Sequence, residues 1–211
     1  MRKTLLAIVI IFPVLAYSQI GIKAGINFAN VTKASDINAS SQTGFLVGVF
    51  LAPPSKGVMG YRTELIYSRQ GYSYESNTNT GNVNLDYILL PQLMCINITK
   101  FVQIQAGFQM AFLVNAKVDS NATNSSSNPY GKAMDYYNKF DYGFAGGVEV
   151  HPFMGLLVGA RYNISFGNLY KDPSSYPPGT TPDFVPKVDV KNNVLQVFVG
   201  WTFGKQTSKK K

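Results

Sequence analysis

Three basic residues, Lys23, Arg62 and Arg161, and three acidic ones, Glu64, Asp141 and Glu149, stand in segments otherwise built from apolar, Gly, Gln and Asn residues. Opposite charges in such surroundings have two uses. They can pair as structural ions, because a charge removed from water is costly unless it is paired. Alternatively, they can line a narrow polar path for water or small ions. Covalent chemistry has little to work with. His151 is the only histidine, and it precedes Pro152 in a short turn, so a Ser–His mechanism is unsupported. Cys95 is the only cysteine, which excludes an intramolecular disulfide and leaves no set of metal ligands. No phosphate-binding loop or dinucleotide fingerprint is present. The chain is therefore expected to be non-enzymatic and to need no cofactor. A second group, Tyr72, Tyr74, Tyr136, Tyr137, Tyr170 and Tyr176, falls in long polar segments. Exposed Tyr among Asn and Ser can form a binding surface there.

The elements that must position these residues are short strands, recognised by two-residue alternation. The clearest is Phe101 to Ala116, where Val102, Ile104, Ala106, Phe108, Met110 and Phe112 alternate with Gln103, Gln105, Gly107 and Gln109. Seven others run Ile20 to Ala29, Thr43 to Leu51, Val58 to Gln70, Val83 to Ile96, Phe140 to Val150, Gly155 to Leu169 and Asn193 to Phe203. Val83 to Ile96 is too uniformly apolar for its faces to be assigned. Odd connections are long and even ones short. In an up-and-down barrel this puts every long loop at one end, the asymmetry of outer-membrane barrels. The expected fold is all-β, an eight-stranded antiparallel up-and-down transmembrane β-barrel.

Alternation alone does not say which face is inside. A soluble lipocalin-like carrier has eight strands too, with an apolar core and a polar exterior. Three features favour the membrane version. The polar face is rich in Gly, Gln and Asn, and only 14% of the chain is charged. Five glycine pairs four residues apart, Gly21/Gly25, Gly44/Gly48, Gly143/Gly147, Gly155/Gly159 and Gly200/Gly204, all fall on that face, where small residues relieve crowding in a narrow lumen. Aromatics including Tyr61, Tyr67, Tyr142, Tyr162, Trp201 and Phe203 mark the ends of the apolar face, as a membrane girdle does. This orientation sends all six charged residues named above into the barrel interior.

Residues 1–18 read as a secretory signal. Arg2 and Lys3 precede the apolar run Leu5 to Leu15, and Ala16 and Ser18 are small residues at −3 and −1 of a cut before Gln19. The run is too short to cross a bilayer, which needs roughly 20 residues. The barrel domain then covers 19–204, and 205–211 form a basic tail. The net charge of +8 does not mark a nucleic-acid binder. Six of the 19 basic residues lie in the signal and tail, leaving 13 against 11 acidic ones. The expected partners are outer-membrane lipid and lipopolysaccharide, and an envelope protein beyond them.

The stretch Ile20-Gly-Ile-Lys-Ala-Gly-Ile-Asn-Phe-Ala-Asn30 resembles the first strand of the Bacteroidetes-type outer-membrane β-barrel family that includes PorT-like proteins. Further likenesses are Glu64-Leu65-Ile66-Tyr67-Ser68-Arg69-Gln70-Gly71, Leu89-Leu90-Pro91, Gly159-Ala160-Arg161-Tyr162-Asn163 and the ending Asn193 to Phe203. The resemblance spans nearly the whole mature chain and implies the same barrel. By analogy with one namesake it also implies an accessory role in protein secretion or assembly. Members often carry Glu just before the strand-four aliphatic–Pro pair, where this chain has Leu89. Residues alone leave four roles: a structural or loop-binding envelope protein, a secretion accessory, a small pore and a soluble carrier.

Overall fold

The computed structural model describes residues 19–32, 40–52, 57–75, 80–120, 133–153, 155–172 and 190–203. They form eight strands: β1 Gln19–Thr32, β2 Ser40–Ala52, β3 Met59–Glu75, β4 Thr80–Asn97, β5 Val102–Ser120, β6 Phe140–Val150, β7 Leu156–Ser165 and β8 Lys191–Phe203. Each pairs antiparallel with the next, and β1 closes on β8 from Ile20↔Phe203 to Thr32↔Lys191. Closure has a direct cause. A backbone N–H or C=O facing hydrocarbon finds no water, so an open edge would leave a row of unmet groups.

The faces sort as the alternation requires. Phe108 is 71% exposed and Val197 39%, whereas Gln105 and Arg161 are 1% exposed. Val102, Ile104, Phe108, Met110, Phe112 and Val114 make β5's outward stripe. Twelve residue steps at about 3.3 Å, tilted about 45°, give a height of about 28 Å, close to the ~25 Å apolar band of such barrels. A polar residue in that band needs local partners. Gln92 has them on the outer face, donating to Thr63 Oγ1 at 2.7 Å and accepting from the Tyr61 hydroxyl. The outward apolar face removes the soluble-carrier alternative.

Two bulges alter the simple pattern. Asp86 pairs with Asn115 but Tyr87 with Leu113, so Val114 is an extra residue in β5. Inward residues on β5 therefore run Leu113, Ala116, Val118, with a step of three at the bulge. A second shift separates Ser41↔Tyr72 from Leu46↔Ser68 in β2. The barrel is also taller on one side. β3, β4 and β5 have 17, 18 and 19 residues, while β6 and β7 have 11 and 10. The excess lies at the loop end, where β3 reaches Glu75 and β4 starts at Thr80. Much of the expected loop Gly71 to Asn82 is thus strand.

Candidate functional site

The barrel interior is layered. Nearest the end with the short turns lies a buried ionic layer. Lys23 on β1 donates to Glu64 Oε2 on β3 at 2.6 Å. Arg161 on β7 reaches the same carboxylate with both Nη atoms, at 2.6 and 3.0 Å, and donates to Gln105 Oε1 at 2.6 Å. Arg62 Nη1 lies 2.7 Å from both oxygens of Glu149 on β6. Its Nη2 donates to Gln103 Oε1 at 3.2 Å, and Gln103 also accepts from Gln105. Approaches of 3.9 Å, Arg62 to Glu64 and Arg161 to Glu149, join the two halves. The side chains cross the barrel, so strands distant in sequence are tied through its centre.

Among the described residues, three Lys or Arg cations here meet two carboxylates. Aromatic faces offset part of the imbalance, since a ring's negative face attracts a cation and does so more strongly when both are out of water. Lys23 Nζ sits 4.2 Å from the centre of the Phe198 ring and Arg161 5.3 Å from it; Arg62 lies 4.6 Å from that of Phe50. Room for these rings comes from glycine. A Cβ on Gly21 would lie 2.0 Å from Phe50 Cζ, and one on Gly159 2.8 Å from Phe198 Cζ.

Asp141 does not join this cluster. It stands higher on β6, accepting from Ser165 Oγ at 2.5 Å and from the Gly167 N–H at 3.0 Å. Around that level lies a neutral polar layer. Asn27 donates to Ser68 Oγ and to the carbonyls of Phe45 and Arg69, Gln70 donates to Ser68, and Asn192 donates to Gln70. Sequence reasoning missed this layer, although its residues sit on the same Gly/Gln/Asn faces that located the charges.

The loop end is closed by an apolar and aromatic layer. Tyr72, Tyr74, Val83, Leu85, Tyr87, Leu113 and Val118 face inward and are buried. Segments 133–139 and 166–172 fold against them. They are held together by the Tyr137↔Tyr170 bridge, by Lys171 N–H to the Tyr136 carbonyl at 3.0 Å and by Asn138 N–H to the Leu169 carbonyl at 3.0 Å. The Tyr137 and Tyr170 rings are 4.8 Å apart, and the Tyr170 hydroxyl bonds that of Tyr72. Burial pushes the Tyr137 hydroxyl well above its ordinary pKa.

This corrects the expected Tyr surface. Tyr72, Tyr74, Tyr137 and Tyr170 are buried, and Tyr136 is partly buried against the same cluster. Tyr176 lies outside the described residues. The reason is strand length. Inward positions Tyr72 and Tyr74 continue the lumen face of β3, so a polar-looking stretch carries its rings into the barrel. His151 lies beside the turn end, its Nε2 3.5 Å from Glu149 Oε2. Cys95 is buried in a small apolar cluster with Leu93 and Ala145.

The profile of the family described as outer membrane protein beta-barrel domain matches residues 12–171. Neisserial surface protein A is similar at 15% identity, over 87% of this chain and 97% of its own, with a TM-score of 0.50. Ail, the attachment invasion locus protein of Yersinia pestis, is similar at 14% identity over 88% and 99%, with a TM-score of 0.49. OprG from Pseudomonas aeruginosa is similar at 12% identity over 89% and 97%, with a TM-score of 0.48. At these identities the likeness concerns fold alone. No curated protein matches the sequence.

Proposed function

This chain belongs to the outer-membrane protein β-barrel domain family of the Gram-negative outer membrane, and from that premise we propose that it is a non-enzymatic barrel with a closed interior whose interactions are made at its loop end. The observation that carries the proposal is the filled lumen. Arg161, Lys23 and Gln105 from the ionic layer, Asn27 and Ser68 from the neutral polar layer, and Tyr72 and Tyr137 from the aromatic layer are each less than 2% exposed. A barrel packed in this way serves as an anchor, and eight strands leave a lumen just wide enough for side chains. The taller wall β3–β5 extends the rigid scaffold beyond the apolar band, and binding residues are commonly carried on loops held by such a scaffold. Along the band the partners are outer-membrane lipid and lipopolysaccharide. Beyond it the partner is another envelope or external molecule. Export by a signal at residues 1–18 fits this role. N-terminal sequencing of the mature protein should start at Gln19.

Photocrosslinkers at two exposed positions in native membranes test the proposal. One replaces Lys139, the last residue of the loop-end segment 133–139, and the other Phe153, in a turn at the opposite end. Capture from position 139 alone is the expected result. Capture only from position 153 would overturn the proposal in favour of a periplasmic secretion or assembly accessory of the PorT-like kind.

A further inference from the structure

We propose that the lumen contains a built site for one trapped water molecule, between the neutral polar layer and the aromatic closure. A cavity of about 20 Å³ lies there, with Gln70, Gln109, Asp141, Asn163, Ser165 and Asn192 on its walls. Asn163 is 3% exposed, and neither its Nδ2 nor its Oδ1 has a hydrogen-bond partner among the described residues. Gln109 Oε1, which lines the same cavity from β5, has none there either. A buried amide without partners is costly, and natural interiors rarely leave one so. The cavity has about the volume that one water needs, roughly 10–15 Å³ or more, and the polar partners to hold it.

The chemistry of the walls selects water over a metal cation. The unmet groups include a donor, Asn163 Nδ2, as well as acceptors, and only a ligand that both donates and accepts meets them together. A cation would leave the donor unmet. Asp141 carries the one formal charge among the described residues on the wall, and both of its oxygens already accept hydrogen bonds, from Ser165 and from the Gly167 and Tyr142 N–H groups. The ionic layer lies on one side and the tyrosine cluster on the other. The water is therefore a fixed strut that cross-links β5 and β7, not a step on a permeation route.

A crystal structure of the full mature protein at a resolution that shows ordered solvent tests the site directly. One peak within about 2.7–3.2 Å of both Asn163 and Gln109 is expected, without anomalous signal after rubidium replaces sodium. Its loss in Asn163→Leu is expected as well. An anomalous rubidium peak would reassign the site to a cation. No peak, with the two carboxamides bonded directly to each other, would remove the site altogether. A peak that persists in Asn163→Leu would overturn the role given to Asn163. The wild-type crystal alone decides the matter if that variant does not fold, and none of these outcomes bears on partner capture at the loop end.

Discussion

Glu64 accepts from Lys23 and Arg161 at once, so its carboxylate holds two buried cations. Glu64→Gln keeps the shape and removes the charge. Loss of one partner of a buried ion pair leaves the other uncompensated, at a cost of about 3 kcal/mol. Urea unfolding in vesicles should show that loss. The pair Lys23→Met with Glu64→Gln should cost clearly less than the two single changes added together. Strict additivity would contradict the shared-carboxylate geometry. Tyr137 sets a pH limit on the closure. Its phenol is raised in the folded state, so its stabilisation is complete below the unfolded value of about 10 and falls as pH rises beyond it. Wild type should lose stability above about pH 10 more steeply than Tyr137→Phe; equal slopes would contradict a buried phenol. At this scale the sequence made the charged residues legible as interior ones, because period-two alternation fixes a face. It did not separate Asp141 from the ionic layer. Height along a tilted, staggered wall depends on register between strands, which no single strand's alternation carries.

Among the elements, β1 and β5 show how little tolerance the wall has in either direction. Gly21 faces the Phe50 ring, and a Cβ there would stand 2.0 Å from its Cζ. Gly21→Ala should cost about 1–3 kcal/mol through overpacking, and Phe50→Leu in the same chain should restore most of it. A neutral Gly21→Ala would mean that the ring has another place to go. On the outer side, Phe108 lies midway along the β5 stripe. Phe108→Arg should destabilise the inserted barrel by about 2–4 kcal/mol, the cost of a cation at the bilayer midplane, while Lys117→Ala, beyond the band, should change stability little. Equal effects at the two positions would contradict the band. Phe140 to Val150 was read from sequence with the observed bounds of β6. The loop ends of β2, β3, β4 and β5 were not. Ser, Asn and Tyr there look like loop, yet pairing with neighbouring strands and burial of Tyr72 and Val83 hold them in the sheet. Val114 breaks the alternation because a bulge is decided by the partner strand.

In the whole molecule, an apolar exterior encloses an interior built as ionic, neutral polar and aromatic layers. The eight-strand count, the order of long and short connections and the inside-out polarity were legible because each follows from local alternation and turn spacing. The filling of the lumen was not, since it depends on which side chains from distant strands meet. Purified protein in planar bilayers should show no steady conductance; a stable open level would contradict the filled lumen. The most direct test of the architecture itself is spin labelling along β5 in lipid vesicles, with Cys95 replaced and single cysteines at 104, 105, 108 and 109. Labels at 104 and 108 should collide readily with oxygen and hardly with a polar nickel chelate, while labels at 105 and 109 should be shielded from both. Oxygen access at 105 and 109 with shielding at 104 and 108 would contradict the orientation on which every layer of the interior depends.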